Sequence, residues 1–276
     1  HPLVADMSET AKSVSVMSPT RPSTPASATL PASAATLRAH LAEVTRHRKT
    51  ATEQGLSGAL TTVRQIQIQR FRHFYADLLV DPQHARATHF FLAELYGAQD
   101  YTERDAQFAR IAGAVERLFP DKVMTLAVEL AEVHALTEEL DWRMADTWQA
   151  LGLPLNGPAN TLSQGYTACW QRVGRQAGRR HQLEAVLRMG WRLADVVGVP
   201  GLRMALRLMR RPAQAAGLAA LQRVLEEGFD AFKSMGTADT FLNAIAKREG
   251  AWLDALFDAP ANASAQLSQA LSTPNG

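Results

Sequence analysis

The chain holds one cysteine, Cys169, in 276 residues. A single thiol excludes an internal disulfide and a thiolate metal cluster, and it suits a reducing cytoplasm, the location the sequence leads us to expect. Cys169 stands beside Trp170 in a segment of helical spacing and reads as a buried structural thiol. Neither a base nor an electropositive pocket accompanies it as a nucleophile would require. No apolar run reaches the ~18 residues of a membrane span, so an integral membrane protein is not expected. The N-terminus lacks the basic-then-apolar order of a secretory signal, and Met7 reads as a natural start position. Glycine motifs are missing as well: there is no Walker A loop, no Gly-x-Gly-x-x-Gly and no Gly-x-Ser-x-Gly elbow. Gly174 and Gly178 form only a small-xxx-small pair, read as permitting close helix packing.

What is present is helical. Residues 1–33 are rich in Ser, Thr, Ala and Pro and cannot bury enough apolar surface to offset the entropy of ordering, so they read as a disordered tail. Residues 259–276 are small and polar and read as a flexible C-terminal tail. Between them, residues 34–258 read as one helical domain, with a sub-division at 153–160 where Pro154, Gly157 and Pro158 make the clearest interior loop. Val63, Ile66, Phe71, Phe74, Leu78 and Leu79 repeat at helical spacing, and Asp81-Pro82 supplies a cap and a first helical residue. Gly97 reads as a helix end, and Thr102 to Asp105 resembles a capping box. With 46% apolar residues and no strand pattern, the expected fold is all-α: an irregular bundle of about eight to ten helices without a sheet.

Net charge is only +2, which gives no global attraction to nucleic acid, and no nucleic-acid-binding motif accompanies any basic segment. The charge is unevenly placed. From Glu94 to Asp146 there are twelve acidic residues against five basic, and from Arg172 to Arg211 ten arginines against Glu184 and Asp195. Arg203, Arg207, Arg210 and Arg211 fall at i, i+4, i+7 and i+8 and would share one helical face. Such a face suits an anionic membrane surface or phosphate groups; the alternative is that it pairs with acidic helices of the same chain or with solvent.

Two carboxylates fall on apolar stripes. Asp105 continues the line of Phe108, Ile111 and Val115, and Glu249 sits among Leu242, Ile245, Trp252 and Leu256. A buried carboxylate needs a partner, and Arg104, Arg110 and Arg248 are nearest in sequence. Metal signatures are missing: no Glu-x-x-His and no His-Glu-x-x-His occurs. His73/Asp77 and His134/Glu138 have the i,i+4 spacing of two-ligand pairs, and His89 and His134 are the weak candidates for a metal or haem iron. No cofactor is predicted.

Phe90 to Gly97 reads FFLAELYG and is followed by Asp100-Tyr101 and Arg104-Asp105. With LTEELDWRMA at 136–145, the 210–232 run and Arg248-Glu249, these residues resemble the bacterial FFLEELY-motif proteins over most of 60–257. The resemblance implies a helical bacterial protein and no particular activity. Ala93 replaces the first glutamate of the motif's name, which leaves Glu94 as the motif carboxylate. Glu94, Tyr96, Asp100, Arg104, Asp105, Arg248 and Glu249 together form the candidate polar pocket or structural cluster; no residue is assigned a catalytic role. The expected function is that of a non-catalytic cytoplasmic binding or interaction protein with a protein or small-molecule partner. The alternatives are a helical metal- or haem-binding enzyme or sensor, and a peripheral membrane binder acting through the arginine face.

Overall fold

The structure, a computed structural model, describes residues 32–96, 101–118 and 121–273. The expected tail at 1–33 lies, apart from its last two residues, outside the described residues. So does the expected helix end at Gly97.

Thirteen helices and no strand make up the described residues. In chain order they are α1 Ala34–Glu53, α2 Ser57–Phe74, α3 Ala76–Val80, α4 Ala85–Tyr96, α5 Thr102–Leu118, α6 Asp121–Ala150, α7 Ala159–Val173, α8 Gln176–Val197, α9 Leu202–Leu208, α10 Arg210–Ala215, α11 Ala219–Met235, α12 Asp239–Asp258 and α13 Pro260–Ser272. The all-α class agrees with the sequence. The count exceeds eight to ten because the short helices α3 and α10, and α13 where a tail was expected, add to the long periodic ones.

Local chemistry sets the boundaries. Ser33 caps α1, its Oγ accepting from the Thr36 amide at 3.2 Å. Asp81 Oδ1 accepts from the amides of Gln83 at 2.7 Å and His84 at 3.2 Å. It therefore caps a turn containing Pro82, and α4 begins one turn later than the Asp-Pro signal suggested. Pro212 has no amide hydrogen and its ring crowds the carbonyl four residues back, which accounts for a break at Met209 between α9 and α10. Gly174 ends α7 at φ +60° and does not serve helix packing as the sequence suggested. Close approach occurs at Gly190 of α8, where a Cβ would stand 2.5 Å from Leu242 Cδ2 on α12.

The 30-residue α6, about 45 Å long at 1.5 Å per residue, packs against α1, α2, α5, α7 and α8. Three apolar clusters surround it and its neighbours. One joins Val63, Ile66, Met144, Trp148, Tyr166, Trp252 and Leu267. A second gathers Phe71, Tyr75, Phe91, Phe229, Phe232 and Phe241, and a third Leu37, Leu41, Phe108 and Val128. The 153–160 loop does not part this core, since the first cluster takes residues from both sides of it. Thr62 Oγ1 donates to the Leu155 carbonyl at 2.8 Å and ties the loop to α2.

The flexible tail expected at 259–276 is corrected over Pro260–Ser272, which form α13, while 274–276 lie outside the described residues. Pro260 opens α13 at its first turn, where a missing amide hydrogen costs nothing. Ala263 and Leu267 are 0% exposed, facing α7, α2 and α12. Small residues made this segment look polar, yet its 263, 267, 270 spacing supplies a narrow apolar stripe. Leu267→Ala is expected to lose about 3 kcal/mol of stability, read as a lower urea midpoint at unchanged slope.

Candidate functional site

A line of polar side chains runs through the packed face of α6. Along this helix His134, Glu138, Asp141, Ala145 and Trp148 recur at i, i+4, i+7, i+11 and i+14, so the charged residues share the stripe that further on buries Trp148. Opposite, on α2, Val63, Ile66, Gln67, Arg70 and Phe71 follow the same rule. Both helices thus place polar groups where packing excludes water: Glu138, Asp141, Gln67 and Arg70 are all buried.

Burial forces partners on these groups. Glu138 accepts from Arg48 Nε of α1 at 3.0 Å and from Arg64 Nη2 of α2 at 2.7 Å. Arg64 Nε also donates to Asp141 Oδ2 at 3.1 Å, and Gln67 Nε2 to Asp141 Oδ1 at 3.1 Å. Arg48 Nη1 reaches Asp105 Oδ2 of α5 at 3.0 Å, with His134 Nε2 2.9 Å from the same oxygen. Arg48 Nη2 also lies 3.0 Å from His134 Nε2. A single ring nitrogen cannot both donate and accept there. The carboxylate is the stronger acceptor and Arg48 Nη2 has Glu138 Oε1 at 3.0 Å, so the His134 Nε2 proton is assigned toward Asp105.

The seam continues through the motif. Arg104 donates to Asp105 Oδ1 through Nε at 3.3 Å and Nη2 at 3.2 Å, contacts Glu94 directly, and covers the Tyr101 ring at 4.1 Å. The Tyr101 hydroxyl donates to the Ala93 carbonyl. Burial pushes the Tyr101 phenol up to about 12, with the Glu94 charge adding to it. The two carboxyls on Arg104 move oppositely. Burial raises Glu94 above its ordinary range, more than Arg104 lowers it. Burial also acts to raise Asp105, but the hydrogen bond from His134 and the charges of His134, Arg104 and Arg48 outweigh it and hold that carboxyl below the ordinary range.

At the other end the seam opens into a cavity of about 80 Å³ between α2, α6, α7, α8 and α12. Gln67, Arg70, Asp141, Tyr166, Trp170, Arg179 and Glu249 are among its walls. Arg70 holds Glu249 by both terminal nitrogens, at 2.9 and 3.0 Å, and Tyr75 donates to Glu249 Oε1 at 2.8 Å. Arg179 is 4% exposed, lies over the Trp170 ring at 4.0 Å and donates to Gln182 Oε1 at 3.4 Å. The Trp170 indole N–H is buried without a hydrogen-bond acceptor among the described residues.

The expected cluster is therefore divided. Glu94, Arg104 and Asp105 do meet, and Glu249 lies at the far, cavity end with Arg70, not with Arg248. Successive helical residues point about 100° apart; Arg248 accordingly turns away and holds Asp77 at 2.7 and 2.6 Å. That contact also ends the His73/Asp77 pairing. Asp100 and the side chain of Tyr96 lie outside the described residues. Arg110, the third suggested partner, donates to the Ala216 and Gly217 carbonyls.

His89 is exposed on α4, contrary to an axial ligand in an apolar setting, because Ala87, Thr88, Phe91 and Leu92 take the buried face. His134 and Glu138 both face Arg48. Among the described residues no three His, Cys, Asp or Glu side chains are grouped as a metal site. Cys169 is 0% exposed and burial pushes its thiol up to about 12.

The arginine face is also corrected. Arg203 Nε meets Asp230 at 2.6 Å, and Arg210 Nε meets Glu226 at 2.7 and 2.9 Å. Arg210's hydrogen bond, first among its contacts, draws the Glu226 carboxyl down to about 2. Arg207 and Arg211 are exposed. These four residues divide because 203 and 210 point toward α11 while 207 and 211 point further round. The larger acidic and basic halves meet elsewhere: Arg192 Nε of α8 contacts Glu129 of α6 at 2.8 Å and His181 contacts Glu132 at 2.8 Å.

Because Asp105 is held low in the folded state, its contribution is present at neutral pH and is lost as pH falls through that lowered value. Asp105→Asn is expected to cost about 2 kcal/mol at pH 7. The gap to the parent should begin to narrow below about pH 4 and close only below the lowered folded value, as read by chemical denaturation across pH.

No curated protein matches this chain, and no solved structure matches it. A family profile matches residues 46–263, from within α1 to within α13 and across the whole seam and cavity. With most of its length matched, the chain belongs to the family described as Domain of unknown function (DUF8198).

Proposed function

We propose that the protein is a non-catalytic, cytoplasmic binding protein whose interior cavity takes a small ligand bearing a hydrogen-bond acceptor, such as a small carboxylate. The carrying observation is the imbalance of the cavity wall. Its carboxylates are already paired: Asp141 with Arg64 and Gln67, Glu249 with Arg70 and Tyr75. A donor remains, the buried Trp170 N–H, beside the Arg179 guanidinium stacked on the same ring. An unmade hydrogen bond at such a site costs about 1–3 kcal/mol, which a ligand acceptor would recover.

Size narrows the ligand. A volume near 80 Å³ is far below the roughly 300 Å³ of a pocket for drug-sized molecules, and matches two or three waters at about 30 Å³ each or one small organic acid. The buried, unreactive Cys169 supports the cytoplasmic reading. No helix among the described residues is long and apolar enough to cross a membrane. A metal or haem reading draws less support, since His89 points outward and His134 is turned to Asp105. We further take FFLAELYG as the FFLEELY motif. In this reading it is a corner, with Phe91 against Phe232 and Phe241, Phe90 against Gly228 and Glu94 on Arg104.

Thermal unfolding with formate, acetate and glycolate is the test. At a hundredfold excess over Kd, one of these should raise Tm by about 5 °C in the parent and not in a folded Trp170→Phe variant. Absence of any shift, or an equal shift in the variant, would contradict the reading.

A further inference from the structure

The outer side of α9 and α10 is exposed. No residue of α9 is buried, and Met204 and Leu208 are 59% and 70% exposed. At about 100° per residue, Leu208 lies about 40° to one side of Met204 and Arg207 about 60° to the other, so the three share one outward arc of α9, and Arg211 follows on α10 beyond the break at Met209. Arg203 and Arg210, at the inner edge of that arc, are the ones consumed by Asp230 and Glu226. Folding thus separates the arginines into an inner pair that fastens the corner to α11 and an outer pair left beside exposed apolar side chains.

A second feature adjoins this arc. A cleft of about 480 Å³ lies between residues 197–201 and α11, with Arg86, Arg203 and Lys233 around the single carboxylate of Asp230. Arg86 and Arg203 both spend contacts on that one carboxylate, at 3.2 and 2.6 Å, so the rim keeps a surplus of positive charge. The corner as a whole sets Arg86, Arg203, Arg207, Arg210, Arg211 and Lys233 against Glu226 and Asp230.

From this arrangement we propose that the α9–α10 corner is a docking surface for an anionic lipid bilayer, with Met204 and Leu208 entering the interface and Arg207 and Arg211 contacting lipid phosphates. Charge complementarity selects this occupant. A helix lying in the interface combines apolar insertion with cationic flanks, and two inserted side chains alone are too few for neutral lipid. Arginine suits phosphate because its planar fork can bond two oxygens at once. The thioether chain of Met204 adapts to a disordered acyl boundary. The cleft beside Arg203 offers room for a headgroup. This surface is separate from the interior cavity, so the two proposals stand or fall independently.

Vesicle co-sedimentation of the full chain tests it, comparing pure phosphatidylcholine with phosphatidylcholine containing about one-third phosphatidylserine. Binding is expected only to the anionic vesicles and is expected to fall with added salt. Each arginine near such a surface is worth about fivefold in affinity, so Arg207→Glu with Arg211→Glu should weaken binding by about twentyfold or more. Leu208→Asp should weaken it at unchanged net arginine count. Arg46→Glu with Lys49→Glu, a matched charge change on exposed α1 positions, should have a much smaller effect. All are surface changes, and circular dichroism checks that each variant folds. Equal binding to both vesicle types, no binding to either, or parent-like binding by the α9–α10 variants would overturn the proposal. So would a dimer in sedimentation equilibrium that Leu208→Asp dissociates, because the corner would then be covered by a second copy.

Discussion

A carboxylate removed from water must meet cations or donors at hydrogen-bond distance, and Glu138 meets two arginines from two different helices. Arg48 of α1 and Arg64 of α2 both converge on it. This fixes where those helices lie along α6, because sliding either by one turn would strand a buried charge, at a cost of about 3–5 kcal/mol. Such networks add little net stability compared with apolar packing of equal volume. Their effect is on arrangement: one register of α1, α2 and α5 around α6 satisfies all the groups at once. Asp105 and Asp141 extend the same constraint in both directions, and the three apolar clusters fill the space around it.

The cavity follows from that arrangement. Asp141 is held from one side by Arg64 and Gln67, and Glu249 by Arg70 and Tyr75, so the cavity's carboxylates are neutralised in place. Arg70 lies against the Phe74 and Trp252 rings at 5.3 and 5.4 Å, which keeps its fork on Glu249. On the aromatic side of the cavity the Trp170 N–H stands without an acceptor among the described residues. The α9–α10 corner obeys a different constraint. Pro212 breaks the helix, and the two short pieces are held by ion pairs to α11, by the Gln222 side chain donating to the Leu206 carbonyl and by the inner side chains Leu202, Leu206 and Ala213. Met204 and Leu208 remain outside.

Much of the fold was legible because helical periodicity survives in long amphipathic segments. The all-α class, the Asp81 cap, the burial of Asp105 and the partial burial of Glu249 follow from spacing alone. The α13 helix was hidden because alanine and serine carry a weak periodic signal, and its stripe becomes visible only against α7. Partner choice was least legible. Arg248 is adjacent to Glu249 in sequence but points about 100° away, whereas Arg70 lies 179 positions off and is its true partner. Gln67 and Arg70 did carry a signal, sitting within the apolar line of Val63, Ile66 and Phe71. So did Glu138 and Asp141, in line with Trp148. These four residues lie on apolar lines by the same periodicity as Glu249, and together they trace the seam.

The claim that the cavity is a ligand site rests on the Trp170 N–H, and its indole resonance reports on that group directly. In a proton–nitrogen spectrum of the labelled protein, a small carboxylate should shift one of the five indole signals strongly and saturably. That signal should be the one missing from Trp170→Phe. If the Trp170 signal stays in place while formate, acetate and glycolate are added to saturation of the other spectral changes, the cavity is a packing feature and the account of its function is wrong.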